Sequence, residues 1–178
     1  MAFSQEFVLA DRTQHNLKAF NCGKPDMNLF LARFAVKNMQ LGLSRTWVLP
    51  VVDEDQQPQK AQIAAYYSLA SSTVKREEIP ADKSLPGYPV PGYPVPVVLL
   101  ARLAVDEQFK GQRLGEKTLI TALRKSVALV DIRLPALGVV LDALDEDALR
   151  FYRHYELFEP FTDDPMRLFA SMHTLRQI

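Results

Sequence analysis

Residues 97–119 read VVLLARLAVDEQFKGQRLGEKTL, and this stretch decides the fold. The apolar run 97–106 predicts a buried strand, and residues 116–130 carry apolar side chains at helical spacing. The loop between them contains two glycines and the basic residues Lys110 and Arg113. A strand that leads through such a loop to a helix N-terminus is typical of an anion site, because the first N–H groups of a helix have no acceptor within it.

The loop matches neither of two common phosphate-binding patterns. It has no G-K-[ST] ending, so it is not a P-loop, and it lacks the G-x-G-x-x-G of dinucleotide-binding loops. A plain turn with solvated basic side chains is the alternative that the spacing leaves open. The pattern therefore indicates an anion site without identifying the anion.

The surrounding segments predict a mixed α/β fold with at least one parallel crossover. A second buried strand at 138–144 follows the helix 116–130, which favours a parallel pair with the strand 97–106. The remaining predicted elements are strands at 5–9, 46–54, 62–74, 157–161 and 167–175, and helices at 13–20, at 26–39 and after Asp145.

The composition predicts a single folded domain spanning residues 1–178, with 48% apolar and 24% charged residues. Lys and Arg number 21, as do Asp and Glu, and this zero net charge excludes a polycation that coats nucleic acid. The charge is unevenly distributed along the chain. Residues 1–50 hold six basic and three acidic side chains, residues 102–141 seven and four, and residues 142–178 four and eight. The first two segments could therefore contact an anionic partner locally.

Cysteine and histidine form no metal-binding pattern in the sequence. Cys22 is the only cysteine, so no disulfide can form within the chain, which favours a reducing compartment. His15, His154 and His173 are scattered, and we expect no structural metal. The first residues do not resemble a signal peptide, and no run of about 18 apolar residues could span a membrane. We expect a cytoplasmic protein without membrane contact.

The segment 87–96 contains GYPVP twice in tandem. Proline lacks the N–H group and fixes φ, so this segment is unsuited to a central strand or a helix interior. One interpretation is an extended loop lengthened by a five-residue duplication, and the other is a proline-rich ligand for a partner. We favour the loop, because loops absorb insertions at low cost.

Residues 102–119, RLAVDEQFKGQRLGEKTL, resemble motif A of the GCN5-related N-acetyltransferases, whose pattern is [QR]-x-x-G-x-[GA]. Lys110 stands where the family has Gln or Arg, and Arg113 stands where it has a middle glycine. Gly115 matches the last position.

Further segments resemble one branch of this family, the acetyltransferase toxins of type II toxin–antitoxin pairs. They are FNCGKPDMNLFL (20–31), AAYYSLASSTV (64–74), PVPVVLLARLAVD (94–106) and LDALDEDALRFYRHYELFEPF (141–161). Departures from the branch pattern include Ala65 in place of Gly, Glu156-Leu157 in place of Gly-Phe, and the second GYPVP. The resemblance covers nearly the whole chain.

The resemblance implies a central mixed, mostly antiparallel sheet with helices on both faces and a splayed parallel strand pair that binds acetyl-CoA. The backbone of Leu103, Ala104 and Val105 would bind the pantetheine arm. The pyrophosphate would be held by the N–H groups of the loop, namely those of Lys110, Gly111, Gln112, Arg113, Leu114 and Gly115.

Tyr152 stands at the family's F-Y position and is the candidate general acid. A phenol with a pKa of about 10 is protonated at neutral pH and can donate to the departing thiolate. Helical spacing alone would favour a tyrosine packed in the core, and the resemblance is what favours catalysis. The family transfers acetyl directly, which leaves Cys22 without a role as nucleophile.

The toxin branch implies acetylation of the α-amine of aminoacyl-tRNA, inhibition by a ribbon-helix-helix antitoxin, and formation of a homodimer. Arg102, Arg33 and Lys37 are the candidate contacts to tRNA phosphates. A solvated helix face is the alternative for Arg33 and Lys37. Two other functions stay open: a housekeeping acetyltransferase for a small-molecule amine or a protein N-terminus, and a non-catalytic acyl-CoA-binding module.

Overall fold

The computed structural model describes residues 2–4, 6–52, 59–80, 93–132 and 134–178. Its strands are β1 (Ala2–Phe3), β2 (Val8–Leu9), β3 (His15–Asn16), β4 (Arg45–Val52), β5 (Ala61–Val74), β6 (Val95–Val105), β7 (Gly138–Asp142), β8 (Glu159–Pro160) and β9 (Arg167–Ser171). Its α-helices are α1 (Pro25–Leu29), α2 (Ala35–Leu41), α3 (Leu114–Ile132), α4 (Glu146–Arg153) and α5 (Met172–Leu175). A π-helix, Phe30–Phe34, joins α1 to α2, and short 3-10 helices cover Arg76–Glu78 and Glu107–Phe109.

The chain forms two compact units. Unit one comprises residues 1–70 and 102–121, and unit two comprises residues 71–101 and 122–178. The elements β5, β6 and α3 contribute residues to both. The assignment of residues 1–178 to a single domain stays a prediction.

The sheet of unit one is built around β4. This strand pairs antiparallel with β1, β2 and β5, and β5 also pairs in parallel with the short β3. The register of β4 with β5 places Trp47 opposite Tyr67 and Val48 opposite Tyr66. The strands predicted at 46–54 and 62–74 are therefore confirmed over the described residues, where they form an antiparallel pair.

Successive residues of a strand point to opposite faces, and unit one buries both faces. Val48 packs in a cluster with residues of the α1–α2 segment, including Leu31 and Ala35. Its neighbour Leu49 packs in a second cluster, with Phe109 and Leu114 from the segment that follows β6. The unit thus has a helical segment on one face and the start of α3 on the other.

The predicted helix at 26–39 is confirmed, with one irregularity. Pro25 occupies the first turn, where its missing N–H removes no hydrogen bond. The Ala35 N–H donates to the Phe30 carbonyl, which is the wider turn of a π-helix. The helix ends at Gly42, whose φ of 76° is left-handed.

The helix predicted at 13–20 is wrong. The Asp11 carboxylate accepts from the Thr13 N–H at 2.7 Å and from the Thr13 hydroxyl at 2.6 Å, which closes a turn. His15 is buried, and its Nδ1 accepts from the Asp11 N–H at 3.0 Å. His15 and Asn16 then pair with β5. Local side-chain bonds to the backbone compete here with helix formation.

Unit two contains the parallel pair predicted on either side of the crossover helix. β6 pairs with β7 in parallel at Val98–Val139 and Leu99–Val140, and β7 pairs antiparallel with β9, which pairs with β8. Its core cluster joins residues from these strands, including Val97, Val140 and Phe169.

The ends of two helices in unit two are set by side-chain caps. The Asp145 carboxylate accepts from the Ala148 N–H at 2.9 Å, which confirms the predicted cap of α4. The strand predicted at 167–175 stops at Ser171. The hydroxyl of Ser171 accepts from the Thr174 N–H at 3.1 Å and begins α5, so the last part of that prediction is wrong.

Part of the duplicated GYPVP segment, residues 87–92, lies outside the described residues. Val95 and Pro96 belong to β6, where the Pro96 carbonyl accepts from the Leu137 N–H at 2.8 Å. Within the described ranges, no helix is long and apolar enough to cross a membrane.

Two adjacent buried tyrosines of β5 lead to a matched prediction. The Tyr66 hydroxyl donates to the Met27 carbonyl at 2.7 Å, whereas the Tyr67 hydroxyl has no hydrogen-bond partner among the described residues. Tyr66→Phe should lower the free energy of unfolding by about 1 kcal/mol, because it removes the hydrogen bond that this buried hydroxyl makes. Tyr67→Phe should leave it unchanged or raise it by up to about 1 kcal/mol. Urea unfolding measures both, and an equal loss in the two variants would contradict the assignment.

Candidate functional site

The loop between β6 and α3 is held by two buried side chains. Phe109 and Leu114 are each 4% exposed and pack in the same cluster, whereas the four residues between them, 110–113, are exposed. A short backbone segment is thus fixed at both ends and presented to solvent.

The start of α3 adds helix N–H groups to this loop. The Lys117 N–H donates to the Arg113 carbonyl at 3.0 Å, so the helical hydrogen bonds begin there. The N–H groups of Leu114, Gly115 and Glu116 precede the first helical donor and have no acceptor in the helix. Residues 110–115, predicted to hold a pyrophosphate, therefore lie on one loop and helix start suited to an anion. The helix begins two residues earlier than the sequence predicted.

Arg113 occupies a conformation that favours glycine. Its φ is 59°, in the left-handed region, and that of Gly111 is 85°. An L-residue there costs roughly 1–2 kcal/mol relative to its preferred conformations. Arginine thus occupies, in a left-handed conformation, the position where motif A has its middle glycine.

Arg113→Gly should raise the free energy of unfolding by about 1 kcal/mol, because it relieves this backbone conformation. The same substitution at Arg124, in the interior of α3, is the matched control and should lower it by about 1 kcal/mol. Denaturant unfolding measures both. A loss of stability in both variants would contradict the strain at Arg113.

The predicted pantetheine strand, Leu103–Val105, is the last part of β6 in unit one. Ala104 is buried in the cluster of the α1–α2 segment, and Leu103 and Val105 are half-buried. The Asp106 N–H donates to the Ala64 carbonyl at 2.8 Å and ties the end of the strand to β5. The strand thus leads through the 3-10 helix Glu107–Phe109 to the exposed loop 110–113.

Cys22 has a structural role in unit one. Its side chain is buried, its N–H donates to the Asn28 side chain at 2.9 Å, and its thiol lies 3.7 Å from the Lys24 carbonyl. The Lys110 ammonium donates to the Cys22 carbonyl at 3.2 Å. Lys110, predicted to add positive charge to the loop, therefore points its ammonium group toward the turn at residues 21–24.

The three basic residues predicted to contact tRNA have different surroundings. Arg102 is half-buried, with its guanidinium 4.7 Å from the centre of the Phe30 ring and 3.7 Å from the Met27 sulfur. Arg33 and Lys37 are exposed and lie four residues apart where the π-helix meets α2. The structure thus brings Arg102 to the helical segment that also carries Arg33 and Lys37.

Tyr152 lies near the end of α4 in unit two. It is buried, and its ring packs edge-to-face against Phe151 and Phe158, with centroids 5.2 and 6.0 Å apart. Burial raises the pKa of Tyr152 above its usual value near 10. The phenol therefore keeps its proton throughout the neutral range, as a hydrogen-bond donor must.

The sequence reasoning missed two residues that shape the loop, Asn21 and Asp106. The Asp106 carboxylate is buried and caps the 3-10 helix by accepting from the Gln108 N–H at 2.9 Å. An aspartate directly after an apolar strand is a recognisable cap signal. Its other oxygen accepts from the Asn21 N–H, 85 positions away, and no local signal indicates that contact.

Among the described residues, no cluster of three or more His, Cys, Asp or Glu side chains could hold a metal ion.

No family profile matches the chain. A tRNA-acetylating toxin of Mycobacterium tuberculosis is 29% identical over 165 residues, which are 92% of this chain and 90% of that protein.

Solved structures of two toxins superpose on the chain. A tyrosine-to-phenylalanine mutant of KacT has a TM-score of 0.85 at 24% identity, covering 99% of both chains. AtaT complexed with acetyl-methionyl-tRNAfMet has a TM-score of 0.80 at 25% identity, covering 98% of both. A mutant of AtaT has also been solved with acetyl-CoA and the C-terminus of the antitoxin AtaR, with a TM-score of 0.76 at 22% identity over 99% of this chain and 98% of that chain. The chain is therefore similar to a tRNA-acetylating toxin and to KacT and AtaT, and it has the mixed α/β fold of those structures.

Proposed function

We propose that the protein transfers an acetyl group from acetyl-CoA to the α-amine of an aminoacyl-tRNA and thereby inhibits translation. The observation that carries the proposal is the match to a tRNA-acetylating toxin over 92% of the chain. The exposed loop at the start of α3 supplies the anion site that this cosubstrate requires. Acetyl-CoA is the cosubstrate, and no metal takes part.

Acetyl-CoA binds along the end of β6 and the loop that follows. The backbone of Leu103, Ala104 and Val105 pairs with the pantetheine arm, and the N–H groups of residues 110–115 hold the pyrophosphate. The Arg113 side chain adds positive charge at the same place. The AtaT mutant solved with acetyl-CoA supports acetyl-CoA as the ligand.

The neutral α-amine attacks the thioester carbonyl carbon and forms a tetrahedral intermediate with a negative oxygen. Collapse restores the C=O bond and breaks the C–S bond, and the sulfur takes a proton from the Tyr152 hydroxyl. The acetylated nitrogen gives up its proton to the tyrosinate, directly or through a water molecule, which restores the phenol. Because burial raises the pKa of Tyr152, transfer to sulfur is coupled to this return of a proton.

The side chains act without a dedicated general base. The α-amine of an aminoacyl ester is unusually acidic for an amine, so a water molecule suffices to deprotonate it. This favours an aminoacyl-tRNA over a lysine or another strongly basic amine. The preference follows from the chemistry of the substrate.

The tRNA contacts basic residues of unit one. Arg33 and Lys37 are exposed on the helical segment, and Arg102 lies against Phe30 of the same segment. Together they supply local positive charge in a chain of zero net charge. AtaT bound to acetyl-methionyl-tRNAfMet supports a tRNA partner.

Regulation follows the pattern of a toxin–antitoxin pair. A ribbon-helix-helix antitoxin neutralises the enzyme, and the complex of AtaT with the C-terminus of AtaR supports a peptide tail as the contact. The protein acts in the cytoplasm, where aminoacyl-tRNA and acetyl-CoA are found. It forms a homodimer.

The test is release of CoA from acetyl-CoA by the purified protein. Charged tRNA should support release, whereas uncharged tRNA should not. A small-molecule amine or a peptide N-terminus that supports faster release than charged tRNA would favour the housekeeping acetyltransferase instead. Binding of acetyl-CoA without release on any amine would favour a non-catalytic module.

A further inference from the structure

We propose that Asp106 is a positioning residue, which clamps the cosubstrate loop to the turn at residues 21–24. The inference rests on the proposed function, since it names what holds the proposed pyrophosphate loop in place. Asp106 does not touch the cosubstrate. It acts through the backbone of residues 107–110, which lead into the loop.

The two oxygens of the Asp106 carboxylate join two distant segments. One accepts from the Gln108 N–H and the other from the Asn21 N–H, both at 2.9 Å. The Glu107 N–H donates back to the Asn21 carbonyl at 2.9 Å. The side chain is 3% exposed, so these bonds are shielded from water.

Side-chain hydrogen bonds hold the turn, and its Gly23 lies against Glu107. The Asn21 side-chain oxygen accepts from the Gly23 N–H and from the Asn28 side chain, both at 2.9 Å. Gly23 has a φ of 85°, and a Cβ there would collide with the Glu107 carboxylate. The Lys110 ammonium donates to the Cys22 carbonyl, which ties the end of segment 107–110 to the same turn.

This clamp has a direct consequence for binding. Residues 106 and 110 are both bonded to the turn, and the exposed N–H groups start at Lys110. A shift of the clamp moves those donors relative to one another, and phosphate binding depends on their convergence. Recognition of the pantetheine arm by β6 does not depend on it.

The experiment compares acetyl-CoA with acetyl-pantetheine, which has the arm and the thioester but no phosphate. The ratio of kcat/KM for the two cosubstrates isolates the contribution of the phosphate loop. Asp106→Asn replaces one acceptor oxygen by an amide that cannot accept, and should lower this ratio about tenfold. Asp163→Asn, the same substitution at an exposed site of unit two, is the control and should leave the ratio unchanged.

Asn21→Ala tests the same inference with a second variant. It removes the side-chain oxygen that accepts from the Gly23 N–H and holds the turn, and Asn21 itself is exposed. The substitution should lower the ratio about threefold, and it decides the question if Asp106→Asn does not fold. An unchanged ratio, or an equal loss with both cosubstrates, would overturn the positioning role. A wild-type protein that does not bind acetyl-CoA would overturn the proposed function itself, whereas a wild-type protein that binds it with unchanged variant ratios overturns only this inference.

Discussion

Tyr152→Phe is expected to lower kcat for acetyl transfer by about 10²- to 10³-fold and to leave the KM for acetyl-CoA unchanged. The substitution removes the hydroxyl that protonates the departing sulfur, and general acid catalysis contributes about that much. The ring itself, packed against Phe151 and Phe158, is retained. Steady-state kinetics with charged tRNA measures the effect.

Tyr155→Phe, three residues along the chain, is the matched control and should keep activity within about twofold of wild type. The pH profile provides a second check. Because burial raises the pKa of Tyr152, its active protonated form persists to higher pH than an ordinary tyrosine near 10 would allow. Wild-type kcat should therefore show no tyrosine-linked decline below about pH 10. Full activity in Tyr152→Phe would remove this residue from the mechanism.

Gly138→Ala is expected to lower the free energy of unfolding by about 3 kcal/mol, at the upper end for overpacking. A Cβ at this position would collide with the Ala170 carbonyl and would lie 2.6 and 2.7 Å from two carbons of the Phe169 ring. Gly138 begins β7 and pairs with Ser171 of β9, so neither backbone can withdraw without breaking the ladder. Thermal unfolding should show a Tm lower by about 6–12 °C.

Gly42→Ala is the matched glycine control. Nothing lies within 4 Å of a Cβ at that position, and only the left-handed φ of 76° opposes the substitution. It should cost about 1 kcal/mol. Equal losses at the two glycines would mean that steric collision at Gly138 contributes nothing.

The central part of the fold could be predicted from the sequence, because its signals are local and agree with each other. The apolar run 97–106, the loop and the apolar face of the following helix all indicate a strand followed by a helix. Asp145 is a cap residue directly before a helix, and it caps α4 as expected.

The errors fall where local signals compete. The helix predicted at 13–20 does not form because Asp11 and Thr13, side chains that could cap a helix, instead close a turn on each other. Ser171 lies at the end of an apolar run that continues the strand pattern, yet its hydroxyl begins a helix. Secondary-structure propensity does not decide between a helix and a turn at residues 11–13, or between a strand and a helix after Ser171.

The clamp of the candidate site could not be predicted because its partners are far apart in the chain. Asn21 and Asp106 are separated by 85 positions, and Lys110 reaches the Cys22 carbonyl across 88. The motifs FNCG and RLAVD mark the two segments in the sequence, but neither motif indicates a contact between them. In the structure, the first motif forms the turn that holds the end of the second.

Translation in vitro with the purified protein and acetyl-CoA, followed by mass analysis of the aminoacyl-tRNA pool, tests the central claim most directly. We predict that protein synthesis stops and that at least one aminoacyl-tRNA gains a single acetyl group on its α-amine, only when acetyl-CoA is present. Continued synthesis with an unmodified aminoacyl-tRNA pool, by a protein shown to bind acetyl-CoA, would contradict it.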